Sequence, residues 1–508
     1  MKDLLIIADQ TIALPASPYQ ARHFINGVVQ DSADGRTSDR VSPSHGVVVS
    51  QAALGSEVEA EAAIRSARAA FDDGRWSRLS GKARAAVLNK VADLIEANVE
   101  QLALIETLES GKPIAQARGE CGGAADLWRY VASLARGSHG DSHNTLGADI
   151  LAVVLKEPIG VVSIITPWNF PFWILGQKLP FALAAGCTCV VKPSEMTPST
   201  TAMLAQMLIE AGLPAGVCNI VLGYGSPVGS VMTAHPQVDM VTFTGSTAVG
   251  KLITKTAGDT LKKVALELGG KNPQVIFPNC DLEGAADAVT FGIYFNVGQC
   301  CNSSSRIIVH EDIATDFVDR VVALSRHVAF GNPLNEKTQV GAIVTPEHAA
   351  KIDAHVRAAV ADGAEVVLGG SALVVPGLGH QFYQPTVLRG VTPDMAIARE
   401  EVFGPVLIVS TFRTLDQAIA LTNDATYGLS AGIWCDDIHT CLEFGRRAQA
   451  GTVWTNTWMD GFPEVAFGGV KQSGQGREIG TYGFDEFLEV KSLVMRIGRT
   501  RAPWVTPA

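Results

Sequence analysis

Apolar side chains fall on two different periods along this chain, and the change of period marks its organisation. Between residues 56 and 71, Ala60, Ile64, Ala67 and Phe71 share one stripe at helical spacing, and Ser56 with Glu59 gives a capping-box pattern. A second amphipathic helix is predicted where Val87, Leu88, Val91, Leu94 and Ile95 share a face, with Asn98 and Gly111-Lys112-Pro113 reading as stops. From Gly160 onward, short apolar runs (161–165, 187–191, 219–222, 240–243 and 263–266) alternate with helical patterns such as 201–211 and 247–255. Strand, helix, strand at this spacing predicts parallel βαβ units with right-handed crossovers. A doubly wound sheet follows, with its ligand crevice at the carboxyl ends of its strands.

A second alternating region runs from near Pro273 to about Gln472, with strand-like stretches at 275–277, 306–310, 366–368, 406–411 and 453–456. It predicts a second α/β domain. Segments 139–157 and 488–496 match neither core and read as strands that pair with another subunit. No internal repeat or low-complexity linker interrupts the pattern.

Composition narrows the function classes. At 508 residues, with 47% hydrophobic and 18% charged positions, the chain is a well-buried globular protein with more than one core. A net charge of -11 argues against a nucleic-acid partner, and the short basic tail of Arg496, Arg499 and Arg501 does not change that. The 9 cysteines show neither disulfide spacing nor Cys-x-x-Cys knuckles, so no metal site is expected, and reduced thiols fit a cytoplasmic protein. Residues 1–10 hold too short an apolar run for a signal peptide, and no stretch approaches the roughly 20 residues that cross a bilayer. No membrane partner is expected.

The chemistry concentrates in two glycine-rich passages, Leu266-Glu267-Leu268-Gly269-Gly270-Lys271 and Phe295-Asn296-Val297-Gly298-Gln299-Cys300-Cys301. A thiolate attacks carbonyl carbon, and a carboxylate takes protons from a thiol and then from water. A free cysteine is more often a small buried hydrophobe. The glycine-flanked, polar setting of Cys301, followed by Asn302-Ser303-Ser304-Ser305, argues against that role here.

Upstream, Thr244-Gly245-Ser246-Thr247-Ala248-Val249-Gly250 follows a predicted strand and opens a helix, where free N–H groups hold a pyrophosphate; a plain tight turn is the alternative. Gly223-Tyr224-Gly225-Ser226-Pro227-Val228-Gly229 imitates a dinucleotide fingerprint with one spacing too long. Lys192-Pro193-Ser194-Glu195 ends another strand, where a carboxylate accepts from ribose hydroxyls; a solvated loop reads equally well. Pro167-Trp168-Asn169-Phe170-Pro171 aims an amide N–H₂ at an oxyanion, or is only a proline-stiffened turn. His348, taken alone, reads as a surface helix residue.

Together with Glu401-Val402-Phe403-Gly404-Pro405 and the 467–478 passage Phe467-Gly468-Gly469-Val470-Lys471-Gln472-Ser473-Gly474-Gln475-Gly476-Arg477-Glu478, these motifs resemble, in order and near-family spacing, the aldehyde dehydrogenase superfamily. The resemblance covers roughly residues 24–491. It implies an α/β fold with a Rossmann-like parallel-sheet NAD-binding domain (1–138 and 159–269) and a second α/β catalytic domain (270–472). A small β oligomerisation element (139–158 and 473–508) completes the expected architecture, with a homodimer or homotetramer as its assembly.

By the same resemblance Cys301 is the nucleophile, Glu267 the general base, and Asn169 the oxyanion donor beside the backbone N–H of Cys301. Lys192 and Glu195 match the adenosine-ribose ligands, Ser246 lies at the pyrophosphate, and Glu401 and Phe403 match contacts around the nicotinamide. Ile165, Trp168, Gly225, Gly229 and His348 complete the expected cofactor set. NAD is expected over NADP, because Glu195 would repel a 2′-phosphate. Phe170, Trp173, Gln177 and Phe467 are the expected substrate pocket, where Gln177 stands in place of a frequent aromatic residue. The implied reaction oxidises a small aldehyde, an amino-aldehyde or another polar one, to its acid through a thioester. A coenzyme A-acylating enzyme and a catalytically silent scaffold are the alternatives. Glu267 argues against the first, and the intact trio of Cys301, Glu267 and Asn169 against the second.

Overall fold

The computed structural model describes residues 4–7, 14–498 and 504–505. Arg499 and Arg501 of the basic tail, and residues 1–3 and 8–10, lie outside the described residues. The fold is α/β, built on two large, mainly parallel sheets.

The first sheet holds parallel strands Val161–Ile165, Thr188–Lys192, Cys218–Ile220, Met240–Thr244 and Lys263–Glu267. Val161–Ile165 is central: Thr188–Lys192 lies on one side and Met240–Thr244 on the other. The chain first winds outward one way, then returns to the other side, which places a switch point at the carboxyl end of the central strand. These strands are buried on both faces, as parallel strands between helical layers must be. The second sheet carries parallel strands Pro273–Ile276, Arg306–His310, Thr386–Arg389, Val406–Phe412, Ser430–Trp434 and Thr452–Thr455.

Helix α1 (Glu57–Asp72) begins at Ser56 with both bonds of the capping box formed. Helix α2 (Gly81–Ala97) buries Leu88, Val91 and Ile95 along the expected face. The chain then forms α3 (Val99–Ser110) and the 24-residue α4 (Ile114–Gly137), which the apolar pattern did not reveal. Residues Leu102 to Ser110 of α3 are buried with polar members among them, so no stripe marks the helix. In α4, Gly123 is required by packing: a Cβ there would lie 2.6 Å from the Trp173 ring on α5 (Pro171–Ala185).

Three expectations need correction. Segments 139–157 and 488–496 pair with each other inside this chain: Leu488–Arg496 runs antiparallel to Ile150–Pro158 from Leu488↔Pro158 to Arg496↔Ile150, with Asp141–His143 on the far edge. Gly474–Gln475, expected in the oligomerisation tail, instead closes the edge of the first sheet beside Lys263–Glu267. Ile6–Ile7, expected with the NAD-binding domain, pairs with Phe330–Gly331 from the second α/β region. In each case the partner is hundreds of residues or a full domain away, a distance that local periodicity does not register. Among the described residues no helix is long and apolar enough to cross a membrane.

Candidate active site

The two sheets meet edge to edge at the functional centre. Ile165, Lys192, Thr244 and Glu267 end their strands at the carboxyl edge of the first sheet. The passages just before Pro273, Arg306 and Val406, at the amino edge of the second sheet, contribute Lys271-Asn272, Cys301–Ser305 and Glu401–Phe403. Glycines allow the close approaches: a Cβ on Gly270 would lie 2.5 Å from the Cys301 carbonyl oxygen, and, within the amino edge of the second sheet, one on Gly298 would lie 2.2 Å from that of Gly404.

The cysteine loop is held from several sides. Asn296 and Val297 adopt left-handed backbone (φ 50 and 54), a costly conformation for a β-branched valine that persists only where its surroundings enforce it. Asn296 donates to the carbonyls of Asn169 (2.9 Å) and Gln299 (3.1 Å). Asn169, 4% exposed, donates through Nδ2 to the same Gln299 carbonyl at 3.1 Å. An amide carries two N–H bonds, so this contact orients Asn169 and leaves it a second donor. Asn272 fixes the other flank, donating to the carbonyls of Cys301 (2.9 Å) and Ser303 (3.0 Å). The adjacent cysteines differ. Cys300 is buried against Phe170 and Ile174, and its thiol donates to Asn302 Oδ1 at 2.7 Å, whereas Cys301 is partly exposed.

Glu267 is 3% exposed, and neither carboxyl oxygen has a hydrogen-bond partner. Burial, then the negative charges of Cys301 and Glu478, push its pKa well above the usual carboxylate range. The Cys301 thiol is pushed up as well, first by its hydrogen bond with Cys300 and then by burial. Both shifts favour the neutral form of each group, and the two are in electrostatic contact. Behind them lies a pair that sequence reasoning missed: Lys178 on α5 forms a buried ion pair with Glu478 and donates to Thr242 Oγ1 at 2.9 Å. The two are 300 positions apart, and only Glu478 stood in a noted motif.

The crevice at the switch point has the donor set for a dinucleotide. Lys192 is buried and donates to the carbonyls of Pro193 (2.8 Å) and Gly223 (2.9 Å); burial lowers its pKa. Glu195 pairs with its ammonium at 3.8 Å and is partly exposed, a carboxylate at the strand end. Ser246 caps helix Thr247–Ala257 through Val249 N–H and is exposed with the first turn of that helix. Open space surrounds Gly225, while a Cβ on Gly229 would meet Lys192 and Ile165 at 3.8 and 3.9 Å.

His348 corrects its solitary reading. Its Nε2 contacts the Phe403 carbonyl at 2.8 Å, and its ring meets those of Trp168 (5.8 Å) and Phe403 (6.0 Å) edge-on. Burial lowers its pKa. Phe403 itself has a left-handed φ of 57. Glu401 accepts from Gly270 N–H at 2.9 Å, and burial lifts its carboxyl to about 7.

On the opposite side of the cysteine loop, Phe170 stacks on Phe295 at 5.9 Å and clusters with Ile174, Cys300, Trp173 and Met459. Phe295 and Met459 were not foreseen. Phe467 packs instead against the first sheet's core, in company with Trp173. Gln177 follows Trp173 by one turn of α5 and is partly buried. Beneath Phe170, the Lys112 ammonium sits 4.5 Å from the ring centroid. Among the described residues no cluster of His, Cys, Asp and Glu is suited to a metal.

The arrangement suits addition of a thiol to a carbonyl, with an amide N–H for the oxyanion and a carboxyl for proton transfer. Comparison with known proteins agrees. The model of the aldehyde dehydrogenase family matches residues 29–493. A betaine aldehyde dehydrogenase of Bacillus subtilis is 38% identical over 95% of this chain and 98% of its own. The crystal structure of an NAD-dependent aldehyde dehydrogenase from Sinorhizobium meliloti superposes with a TM-score of 0.96 at 50% identity, covering 99% of both chains. That of a Staphylococcus aureus betaine aldehyde dehydrogenase in complex with NAD+ gives 0.93 at 37% identity, covering 96% of this chain and 97% of its own.

Proposed function

The chain belongs to the aldehyde dehydrogenase family, and from that premise we propose that Cys301, Glu267 and Asn169 carry the NAD-dependent oxidation of a small aldehyde to its carboxylic acid. The observation that carries this reading is the buried Glu267 carboxyl, without a hydrogen-bond partner and in electrostatic contact with Cys301.

Glu267 in its ionised form takes the thiol proton, and the thiolate adds to the carbonyl carbon. The resulting oxyanion accepts hydrogen bonds from the second N–H of Asn169 and the backbone N–H of Cys301. Losing one such donor typically costs about 100- to 1,000-fold in rate. Bound NAD supplies the acceptor for the hydride that the adduct expels. The acyl group then rests on Cys301 as a thioester. Once Glu267 has released the thiol proton to solvent, it removes a proton from water, the hydroxide adds to the thioester carbon, and the thiolate leaves as the acid forms. Apolar walls at Phe170, Phe295 and Trp173 keep bulk water from the adduct.

Lys192 and Glu195 are assigned to the adenosine ribose, Ser246, Gly225 and Gly229 to the pyrophosphate side, and Ile165 to the crevice floor. Trp168, His348, Glu401 and Phe403 are assigned to the nicotinamide side. Glu195 supports NAD over NADP, since a 2′-phosphate would bring like charge against it. Met459 reaches the apolar cluster and Asp460 follows it at the exposed mouth, which supports a small polar or amino-aldehyde substrate.

The assembly assigned is a homodimer or homotetramer through the strand Leu488–Arg496. That edge strand exposes Val490 (67%) and Val494 (69%) on one face and Leu493 (41%) on the other, apolar surface on an open edge that a second copy would cover. All cysteines are free thiols, which supports a cytoplasmic setting.

The test is reduced-nicotinamide absorbance with a panel of amino-, hydroxy-, aliphatic and aromatic aldehydes, with and without coenzyme A. Aldehyde-dependent reduction of NAD without coenzyme A is expected. A strict coenzyme A requirement would favour the acylating alternative, and no reduction with any aldehyde would overturn the enzyme reading.

A further inference from the structure

A cavity of about 390 Å³ lies far from Cys301, at the C-terminal end of α5. Phe170 caps the N-terminus of this 15-residue helix and Ala185 ends it, so the cavity is about 22 Å along the axis from the aldehyde site. Lys82, Arg84, Arg136 and Lys156 line it together with the hydroxyl-bearing Ser77 and Ser138, and no carboxylate is among its lining residues. On a chain with a net charge of -11, that concentration of cations is distinctive.

The site is built, not merely basic. A Cβ on Gly81 would lie 2.0 Å from the Ala135 carbonyl oxygen, so only glycine lets α2 start against the last turn of α4. Ser80 Oγ caps Ala83 N–H, leaving the earlier N–H groups of α2 outside the helix ladder. Arg84 is held in place by backbone carbonyls: Nε donates to Ala184 (3.1 Å), and Nη1 to Leu79 (2.7 Å) and Ser77 (3.4 Å). Its Nη2 has no partner among the described residues. Lys156 is already countered by Asp485 at 2.8 Å, so the uncompensated charge comes from Lys82, Arg84 and Arg136. Neither Lys82 nor Arg136 forms an ion pair among the described residues. Pro158 and Leu488, where the arm sheet leaves the body, form another part of the wall.

We propose that this cavity binds a small polyanion, a phosphate monoester or a di- or tricarboxylate, at a site separate from the catalytic crevice. The immobilised guanidinium and the open start of α2 provide directed donors, and Lys82 and Arg136 provide the field. Because Lys156 stands on the arm and the other cations on the body, a bound anion braces the arm sheet against α2 and α4.

Calorimetric titration of the full chain with inorganic phosphate and, separately, citrate tests this, at fixed ionic strength and with NAD saturating so that the cofactor crevice is closed to the titrant. Saturable binding of one anion per chain is expected for at least one probe, and the tighter probe identifies phosphate or carboxylate chemistry. In the charge-reversed double variant Lys82→Glu/Arg136→Glu, at exposed positions, binding should weaken at least about tenfold, with aldehyde oxidation in anion-free buffer unchanged. Arg84→Lys keeps the charge but loses the fork, and should weaken binding as well. Absence of saturable binding by either probe, or equal affinity in the double variant, would overturn the proposal. The readout is binding and not turnover, so its failure leaves the dehydrogenase reading untouched.

Discussion

Two groups of buried ionisable side chains are built on different rules. In the first, beneath Phe170, Lys112 bonds Glu106 at 3.0 Å and also Glu120, which in turn accepts from Gln116 at 2.8 Å. Both carboxyls there touch the one ammonium, with a single oxygen of Glu106 left unbonded. In the second, Glu267 is equally buried and neither of its oxygens is bonded. Leaving a buried carboxyl unsatisfied costs stability, so a fold keeps one only where it has work to do. The ion-paired group lies under the Phe170 ring, and the unpaired one carries the base role proposed above.

The sharpest test of this division is at the thiols. Cys301→Ala should lower turnover by at least about 10,000-fold while leaving NAD binding and the thermal midpoint near wild type. Cys300→Ala should stay active, since its thiol is tied to Asn302. An inactive Cys300→Ala beside an active Cys301→Ala would reverse the assignment.

The ion-paired cluster should fail in stability instead. Lys112→Met strands two buried carboxyls and should cost about 3–5 kcal/mol in denaturant unfolding. A loss of activity with unchanged stability would place Lys112 in the chemistry and break the comparison.

Glu267→Gln removes the base but keeps the shape. Steady-state turnover should fall about 100-fold or more, with a burst of reduced cofactor before slow thioester hydrolysis. Stability should hardly change, because no bond is lost. Wild-type turnover in this variant would end the base role.

A smaller effect follows from protonation. Burial lifts the Glu120 carboxyl to about 8. A raised carboxyl stabilises the fold below its unfolded value near 4.5, and that contribution is lost as pH rises through about 8. The thermal midpoint of the wild type should therefore fall across that window, and less so in Glu120→Gln. Equal pH profiles would show that Glu120 does not titrate there.

The mildest change lies in the crevice. Glu195→Ser should move the ratio of catalytic efficiencies from NAD towards NADP, with Lys192 limiting the shift. A ratio that favours NAD and does not move would remove Glu195 as its cause.

The parallel strands of the first sheet were legible to within about a residue or two, because burial on both faces writes continuous apolar runs between helices. Arg306–His310 fell at its observed limits. Helix α3 was not legible, since its buried Glu106, Thr107 and Glu109 break any apolar stripe, and the two carboxyls find partners outside the helix in Lys112, Ser50 and Ser199. Glu267 and Cys301 stood out because glycines surround them, and Gly270 and Gly298 proved to be where backbone passes too close for a side chain. The Lys178–Glu478 pair and the mutual ring contacts of His348, Trp168 and Phe403 rest on contacts that no local pattern encodes.

The strand that bears Glu267 is bordered on its outer edge by Gly474–Gln475, with Glu267 opposite Gly474, and Ser473 Oγ donates to the Gly269 carbonyl at 2.7 Å. The chain reaches this border only after the other strands of both sheets. A chain interrupted before it would carry both sheets nearly whole, yet the proposed base would sit on an open edge and Lys178 would lack Glu478. By the roles proposed above, reactivity towards aldehydes is thereby tied to a segment 204 residues beyond Gly269 in the chain, and a product cut before it would be chemically quiet.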